Sequence, residues 1–104
     1  MDSFESMTNV DGVITRTADA TVPVMDRGFL YGDSVYEVFR TYDGVPLFMA
    51  DHFDRLAHSA SLINMEVSQS REALIDEIRS TVQATGASRE HDLCVRYQIT
   101  RGVG

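Results

Sequence analysis

The sequence predicts an α+β domain, a mostly antiparallel sheet with two consecutive helices on one face. Short apolar or alternating segments, bounded by turn signals, occupy both ends of the chain. Between them lie two segments whose apolar residues recur at helical spacing. Strands followed by a helix pair and a final strand are typical of α+β domains. A chain of 104 residues has room for a single small domain, spanning 1–104.

The first strands are predicted from turn signals. Residues 1–9 are polar and are expected to form a loose N-terminus. An Asp-Gly pair at 11–12 is a turn signal, and a short strand at 13–16 follows it. A second extended piece at 22–25 leads into a turn at 26–28.

The clearest strand is predicted at 34–42, where two sets of side chains alternate along the chain. An Asp-Gly pair at 43–44 is a strong hairpin signal, so residues 45–49 are the expected return strand. Pro46 has no backbone N–H to donate, which favours a position at the edge of the sheet.

Two helices are predicted after this hairpin. The first covers about 51–65, with Asp51 as its N-cap. Its apolar face consists of Phe53, Leu56, Ala57, Ala60 and Ile63. The second begins near Ser68 or Ser70 and ends at Gly86, a natural C-terminal stop. It is expected to bury Leu74, Ile75, Ile78 and Val82.

The C-terminal part is predicted to contain the last strand, from Leu93 to Thr100. Cys94 lies in this apolar run and is expected to be a buried, unreactive thiol. As a single cysteine it cannot form an internal disulfide. Residues 101–104 are glycine-rich and resemble a linker more than a finished terminus.

Composition excludes several classes of function. Sixteen acidic residues against nine arginines give a net charge of -7, which argues against nucleic acid as a partner. No segment approaches the roughly 20 apolar residues of a membrane span. The acidic N-terminus is unlike a signal peptide, so we expect a cytoplasmic protein. The histidines at 52, 58 and 91 form no metal-ligand pattern.

Arg55 is the strongest candidate for binding an anion. On the first predicted helix it lies about 200° from Phe53, so it points away from the apolar face. His52 and Ser59 share its side of the helix. Such a surface suits a phosphate, which a guanidinium can bind through two parallel hydrogen bonds. From spacing alone, however, an arginine in this position is more often simply solvated.

Three motifs follow one another along the chain: DRGFLYGDSVYEVFR at 26–40, HFDRL at 52–56 and TRG at 100–102. Together they resemble the small N-terminal domain of fold-type IV pyridoxal-phosphate enzymes. That family includes branched-chain and D-amino-acid aminotransferases, R-selective amine transaminases and aminodeoxychorismate lyase. The resemblance extends over most of the chain and implies pyridoxal 5'-phosphate as cofactor. It also implies amino transfer between an amino acid and a 2-oxo acid by a homodimer.

The resemblance implies roles for individual residues. Arg55 occupies the H-x-x-R-L position that binds the cofactor phosphate. Tyr36 and Arg40, on the same face of their strand, would line the substrate pocket. Tyr31 would reach the active site of the neighbouring subunit. Without the resemblance, Tyr36 would be an ordinary half-buried strand tyrosine and Arg40 would belong to a cross-strand ion pair.

The TRG motif implies a carboxylate-binding residue. In D-amino-acid aminotransferases an arginine in the position of Arg101 helps to bind the substrate carboxylate. A histidine often follows it two residues later, but Val103 stands there in this sequence. The D-amino-acid pattern is therefore only half matched. Arg96 is a second cation on the same strand, for which a structural ion pair is the simpler interpretation.

The chain contains no lysine, because all nine of its Lys+Arg residues are arginines. Fold-type IV enzymes hold their cofactor as a Schiff base on a lysine. No residue of this chain is therefore expected to be catalytic by itself, and the lysine is expected in a larger domain or a second chain. Two alternatives remain open: a domain of an aminodeoxychorismate lyase, or a non-catalytic binding or assembly module.

Overall fold

An antiparallel sheet and two long helices form the framework of the molecule, for which a computed structural model describes residues 4–104. The α+β prediction is confirmed. The elements are β1 (Met7–Val10), β2 (Val13–Arg16), α1 (Arg27–Tyr31), β3 (Ser34–Tyr42), β4 (Val45–Pro46), α2 (Met49–Leu62), α3 (Arg71–Ala84) and β5 (Cys94–Thr100). Strands β1 and β2 form a hairpin, and a three-stranded sheet has the order β4-β3-β5.

The N-terminal region is more ordered than its polar composition predicted. Within the segment expected to be loose, β1 pairs with β2 through the turn at 11–12, while residues 1–3 lie outside the described part. Both turn residues have positive φ, 51° at Asp11 and 90° at Gly12, as a tight hairpin turn requires. The Asn9 side chain accepts a hydrogen bond from the Gly12 N–H at 2.8 Å. The turn therefore holds β1 against β2.

Strand β3 carries the core of the domain, because its inward side chains pack against α2. Val35 and Phe39 are buried, and so are Phe53, Leu56 and Ala60 on α2. The other two residues assigned to the apolar face of α2, Ala57 and Ile63, are exposed. Strand β5 pairs with β3 along its whole length, with Tyr36 opposite Gln98 and Glu37 opposite Tyr97.

The return strand and the start of α2 differ from their predicted bounds. Strand β4 contains only Val45 and Pro46, because Phe48 has a φ of 55° and leaves the extended conformation. Phe48 is the N-cap of α2, so the predicted cap Asp51 lies in the first turn. A carboxylate there still interacts favourably with the helix dipole.

Helix α3 makes polar contacts at its N-terminus and with β1. Ser70 caps its N-terminus, accepting from the N–H of Ala73 at 3.1 Å, and Gly86 follows its end with a φ of 74°. Asn9 of β1 donates to Glu77 at 2.6 Å. The apolar side chains predicted to be buried on this helix, Leu74, Ile75, Ile78 and Val82, are only half-buried.

The fold shows which apolar side chains lie on the surface. Cys94 is exposed, not buried as predicted, because it lies on the open face of the sheet at the start of β5. Large apolar side chains are also exposed around α1, among them Met25, Phe29 and Tyr31. In the described part of the chain, no helix is long and apolar enough to cross a membrane.

Candidate functional site

A buried carboxylate organises the first part of the site. Glu37 lies in the inward set of β3 side chains, between Val35 and Phe39, and is only 5% exposed. A buried carboxylate requires hydrogen-bond donors, and α2 supplies two of them from one side of the helix. Arg55 donates from Nε to Oε2 at 2.9 Å and from Nη2 to Oε1 at 2.7 Å. His52 donates from Nδ1 to Oε1 at 2.7 Å.

These contacts set the charge states of the cluster. The hydrogen bonds from Arg55 lower the pKa of Glu37, burial opposes this effect, and the bond from His52 lowers the pKa further. Glu37 in turn raises the pKa of Arg55. Burial, aided by the Glu37 charge, raises the pKa of Tyr97 to about 12. Glu37 is therefore an anion at neutral pH, paired with a permanent cation.

The geometry leaves one edge of the Arg55 guanidinium free. Glu37 uses Nε–H and one N–H of Nη2, which also lies 3.4 Å from His52 Nδ1, whereas Nη1 has no hydrogen-bond partner among residues 4–104. The Arg55 side chain is 66% exposed, so its outer edge faces solvent. Two adjacent N–H groups on that edge suit the oxygens of a phosphate. The residues present thus fit the phosphate of the cofactor that the sequence implies.

The open face of the sheet forms a second, cationic surface. Tyr36 and Arg40 point outward from β3, and Arg96 points outward from β5. The Arg96 guanidinium lies 4.1 Å from the centroid of the Tyr36 ring, and its Nη2 donates to Gln98 at 3.1 Å. Neither Arg40 nor Arg96 has a carboxylate partner in the described part of the molecule. This face can attract a carboxylate.

The two surfaces lie on opposite faces of the sheet, and part of one edge of β3 between them is not covered by a strand in the described residues. Tyr36 points outward and Glu37, the next residue, points inward toward Arg55. Strand β4 pairs with β3 only at Thr41 and Tyr42. Within residues 4–104, therefore, no strand pairs with the other edge of β3 between 34 and 40, and the Leu47 N–H donates to the Arg40 carbonyl at 2.8 Å.

Arg101 takes part in a separate cluster at the end of β5. Its Nε donates to Asp33 Oδ2 at 2.7 Å, its Nη2 to the Ile63 carbonyl at 2.7 Å and its Nη1 to the Asn64 carbonyl at 3.4 Å. These bonds join the start of β3, the end of α2 and the end of β5. The guanidinium is thus directed at groups of the protein, not at the open face.

A second arginine ties the same end of β5 to α1. Arg27 donates from Nε to the Gly102 carbonyl at 2.9 Å and from Nη2 to the Arg101 carbonyl at 2.6 Å. Asp26 accepts from the Thr100 hydroxyl at 3.0 Å. Gly28 is required here, because a Cβ at this position would lie 2.5 Å from Thr100 Cγ2. The DRG and TRG motifs are therefore in direct contact.

Tyr31 lies apart from the other candidates. It is the last residue of α1, it is 78% exposed, and the helix ends at Gly32 in the left-handed conformation. Its exposed apolar neighbours are Phe29 and Leu30. The predicted site residues therefore fall into four places: Arg55 beside Glu37, Tyr36 with Arg40 on the open face of the sheet, Arg101 at the end of β5, and Tyr31 on the outer surface.

Sequence reasoning assigned no role to Glu37, and Asp33 and Arg27 were also missed. The signal for Glu37 was available, because it alternates in phase with Val35 and Phe39, which places a carboxylate on an apolar face. Asp33 and Arg27 gave no such periodic signal. Their partners are backbone and side-chain groups distant in the sequence, and periodicity within one element does not reveal such contacts. No group of metal-ligating side chains occurs among the described residues.

Comparison with known proteins gives a consistent result. The profile of the family described as amino-transferase class IV matches residues 34–104. A Methanocaldococcus jannaschii protein named "Putative branched-chain-amino-acid aminotransferase" is 37% identical over 95 residues, which is 91% of this chain and 32% of that protein. The D-alanine aminotransferase of Listeria monocytogenes is 36% identical over 94 residues, 90% of this chain and 32% of the enzyme.

Solved structures show the same fold. The branched-chain amino acid aminotransferase of Escherichia coli superposes with a TM-score of 0.75 at 28% identity, over 98% of this chain and 34% of that one. The branched-chain aminotransferase of Thermoproteus uzoniensis, solved with norvaline, superposes with a TM-score of 0.69 at 32% identity, over 85% of this chain and 30% of that one. The chain spans about a third of the length of the relatives it matches.

Proposed function

Because this chain belongs to the amino-transferase class IV family, we propose that it is the small domain of a pyridoxal-phosphate-dependent aminotransferase. The enzyme transfers an amino group between an amino acid, of branched-chain or D-amino-acid type, and a 2-oxo acid. A larger domain or a second chain supplies the lysine that this sequence lacks. The names of the similar proteins include both substrate types, which supports this substrate range.

The proposal depends mainly on the geometry of the Arg55 guanidinium. Its guanidinium is fixed on one edge by the buried Glu37, and the free edge faces solvent. We assign this edge to the cofactor phosphate, because a planar fork of donors matches two phosphate oxygens. When bound, pyridoxal 5'-phosphate supplies the electron sink for amino transfer. Arg55 contributes binding and orientation.

Substrate recognition is assigned to the open face of the sheet. Tyr36 and Arg40 are exposed on the face that carries no acidic side chain on β3 or β5. A substrate carboxylate there would contact the guanidinium of Arg40, which has no carboxylate partner in the described part of the molecule. Hydrogen bonds between charged groups are stronger than those between neutral groups. Arg101 was also predicted to bind this carboxylate, and for it to do so its guanidinium must share or release its present partners.

Dimer formation belongs to the same proposal. Tyr31 and Phe29 are exposed by 78% and 68%, and Met25 by 62%. A cluster of exposed apolar side chains is typical of a surface covered by another subunit or domain. We assign Tyr31 to the neighbouring subunit's active site.

The proposal is tested by cofactor titration of the complete apo-enzyme that carries this domain. Arg55→Ala should raise the dissociation constant for pyridoxal 5'-phosphate by about one to two orders of magnitude, since a charge-assisted hydrogen bond contributes roughly 1.5–3 kcal/mol. Arg55→Lys should recover only part of the loss, because an ammonium has no planar fork. Arg79→Ala, on another helix and also 66% exposed, is the matched control. Unchanged affinity in Arg55→Ala would refute the assignment.

A further inference from the structure

Glu37 occupies a position that would normally hold an apolar residue. Its neighbours on the inward face of β3 are Val35 and Phe39, and the facing residue on β5 is Tyr97. Burying a carboxylate costs free energy unless donors compensate it. The compensation comes from two hydrogen bonds of Arg55 and one of His52. An apolar residue would fill this place with less penalty, so the arrangement needs a reason beyond packing.

We propose that Glu37 is a positioning residue for phosphate binding, one that holds Arg55 so that the outer edge of its guanidinium is presented to the cofactor. The inference rests on the proposed function of Arg55. An arginine side chain has many rotamers, and fixing one of them on binding costs affinity. The bidentate contact, at 2.9 and 2.7 Å, fixes both the position and the plane of the guanidinium in advance. Glu37 is buried, and its strand pairs with β5 before and after it, so its own position is fixed by the fold.

An opposing effect must be separated from this one, because the negative charge of Glu37 also repels a phosphate. The repulsion acts across partly exposed surface and is screened by salt, over about 8 Å at 0.15 M and about 3 Å at 1 M. The hydrogen bonds between Glu37 and Arg55 are direct contacts and are much less affected by salt. At high ionic strength the positioning effect should therefore dominate.

The test uses the complete apo-enzyme and two ligands, pyridoxal 5'-phosphate and pyridoxal, which lacks the phosphate. Glu37→Gln removes one acceptor and the charge, whereas Glu37→Asp keeps the charge but shortens the side chain. Both should weaken binding of pyridoxal 5'-phosphate about three- to tenfold at 1 M salt, the cost of ordering one mobile side chain. Binding of pyridoxal should be unchanged. Glu90→Gln, an exposed carboxylate on a loop, is the matched control.

A double-mutant cycle with Arg55→Ala separates positioning from general damage to the fold. If Glu37 acts through Arg55, Glu37→Gln should cause no further loss of pyridoxal 5'-phosphate affinity once Arg55 has been removed. Equal weakening of both ligands, or the same loss in the absence of Arg55, would show a merely structural role and overturn the inference. Unchanged or tighter binding in both Glu37 variants at 1 M salt would also overturn it. If Arg55→Ala itself left affinity unchanged, the proposed function would fail instead.

Discussion

Arg101 and Asp33 form an ion pair that joins the end of β5 to the start of β3. The Arg101 Nε lies 2.7 Å from Asp33 Oδ2, and the backbone N–H of Arg101 donates to the Asp33 carbonyl at 3.1 Å. The two side chains are 32% and 29% exposed, so the pair is largely shielded from solvent. The sequence predicted that Arg101 binds the substrate carboxylate, whereas the structure shows it in an ion pair with Asp33. The two roles predict different effects of substituting Arg101.

Arg101→Ala should lower the free energy of unfolding by about 1–3 kcal/mol, because it leaves Asp33 and two backbone carbonyls without their donor. Asp33→Asn should lower it less, since the guanidinium keeps its bonds to Ile63 and Asn64. Urea unfolding of the two variants measures both effects.

Substrate binding then separates the two roles of Arg101 in the complete enzyme. If Arg101 also binds a carboxylate, Arg101→Ala should raise KM for amino acids more than for simple amines, and Asp33→Asn should not. Equal changes for amines and amino acids would assign Arg101 only to its contacts with Asp33 and the two backbone carbonyls.

The order of elements could be predicted because it depends on local patterns. The alternation in 34–42 and the helical spacing of Phe53, Leu56 and Ala60 are properties of neighbouring residues, and both were confirmed. The turn at 11–12 and the strand at 13–16 were predicted, but β1 before them was missed, because its pairing with β2 is not encoded in its own polar residues. Cys94 was placed in the core wrongly, because an apolar run does not reveal which face of a sheet remains open.

The candidate site was less accessible to sequence reasoning. Helical geometry indicated that Arg55 points away from the apolar face of α2, but not that a buried carboxylate on another element meets it. Likewise, the sequence places Arg27 and Arg101 in separate motifs, and only the fold brings Arg27 to the carbonyl of Arg101, 2.6 Å away. Pairings between residues far apart in the chain depend on the tertiary fold, which periodicity does not encode.

The contact between Arg55 and Glu37 changes the expected stability of Arg55 variants. An arginine opposite the apolar face would contribute little to folding, but Arg55 neutralises a buried carboxylate. Arg55→Ala should therefore lower the free energy of unfolding at pH 7. In that background Glu37→Gln should restore part of the loss, because no unpaired charge remains buried. Urea unfolding of both single variants and the double variant gives the coupling, and strictly additive effects would contradict it.

The lowered pKa of Glu37 predicts a specific dependence of stability on pH. Its folded-state pKa lies below the ordinary value of 4.5, chiefly through the bonds from Arg55. Glu37 therefore stabilises the fold fully above about pH 4.5, and this contribution is lost as the pH falls through the folded-state pKa. The charged and titratable groups that face it are Arg55, His52 and Tyr97.

The measurement is urea unfolding from pH 7 down to pH 3 for the parent chain and for Glu37→Gln. The advantage of the parent should shrink below about pH 4.5, because the variant has no carboxyl group to protonate at this position. Glu90→Gln should follow the parent throughout. A difference between parent and Glu37→Gln that stays constant down to pH 3 would contradict the assigned direction.

The absence of lysine predicts that this chain forms no covalent adduct with pyridoxal 5'-phosphate through a side chain. Its basic side chains other than histidine are guanidinium groups, which stay protonated and do not form stable imines. The only primary amine is the α-amino group, so a chain with a blocked N-terminus should gain no mass after incubation with cofactor and reduction with borohydride. The unblocked chain, which can gain one pyridoxyl group, is the positive control. Because Cys94 is exposed, Cys94→Ser should be measured in parallel to exclude addition to the thiol. A stoichiometric adduct on the blocked Cys94→Ser chain would show that this domain can hold the cofactor covalently without a lysine, and the assignment of that bond to another domain would fall.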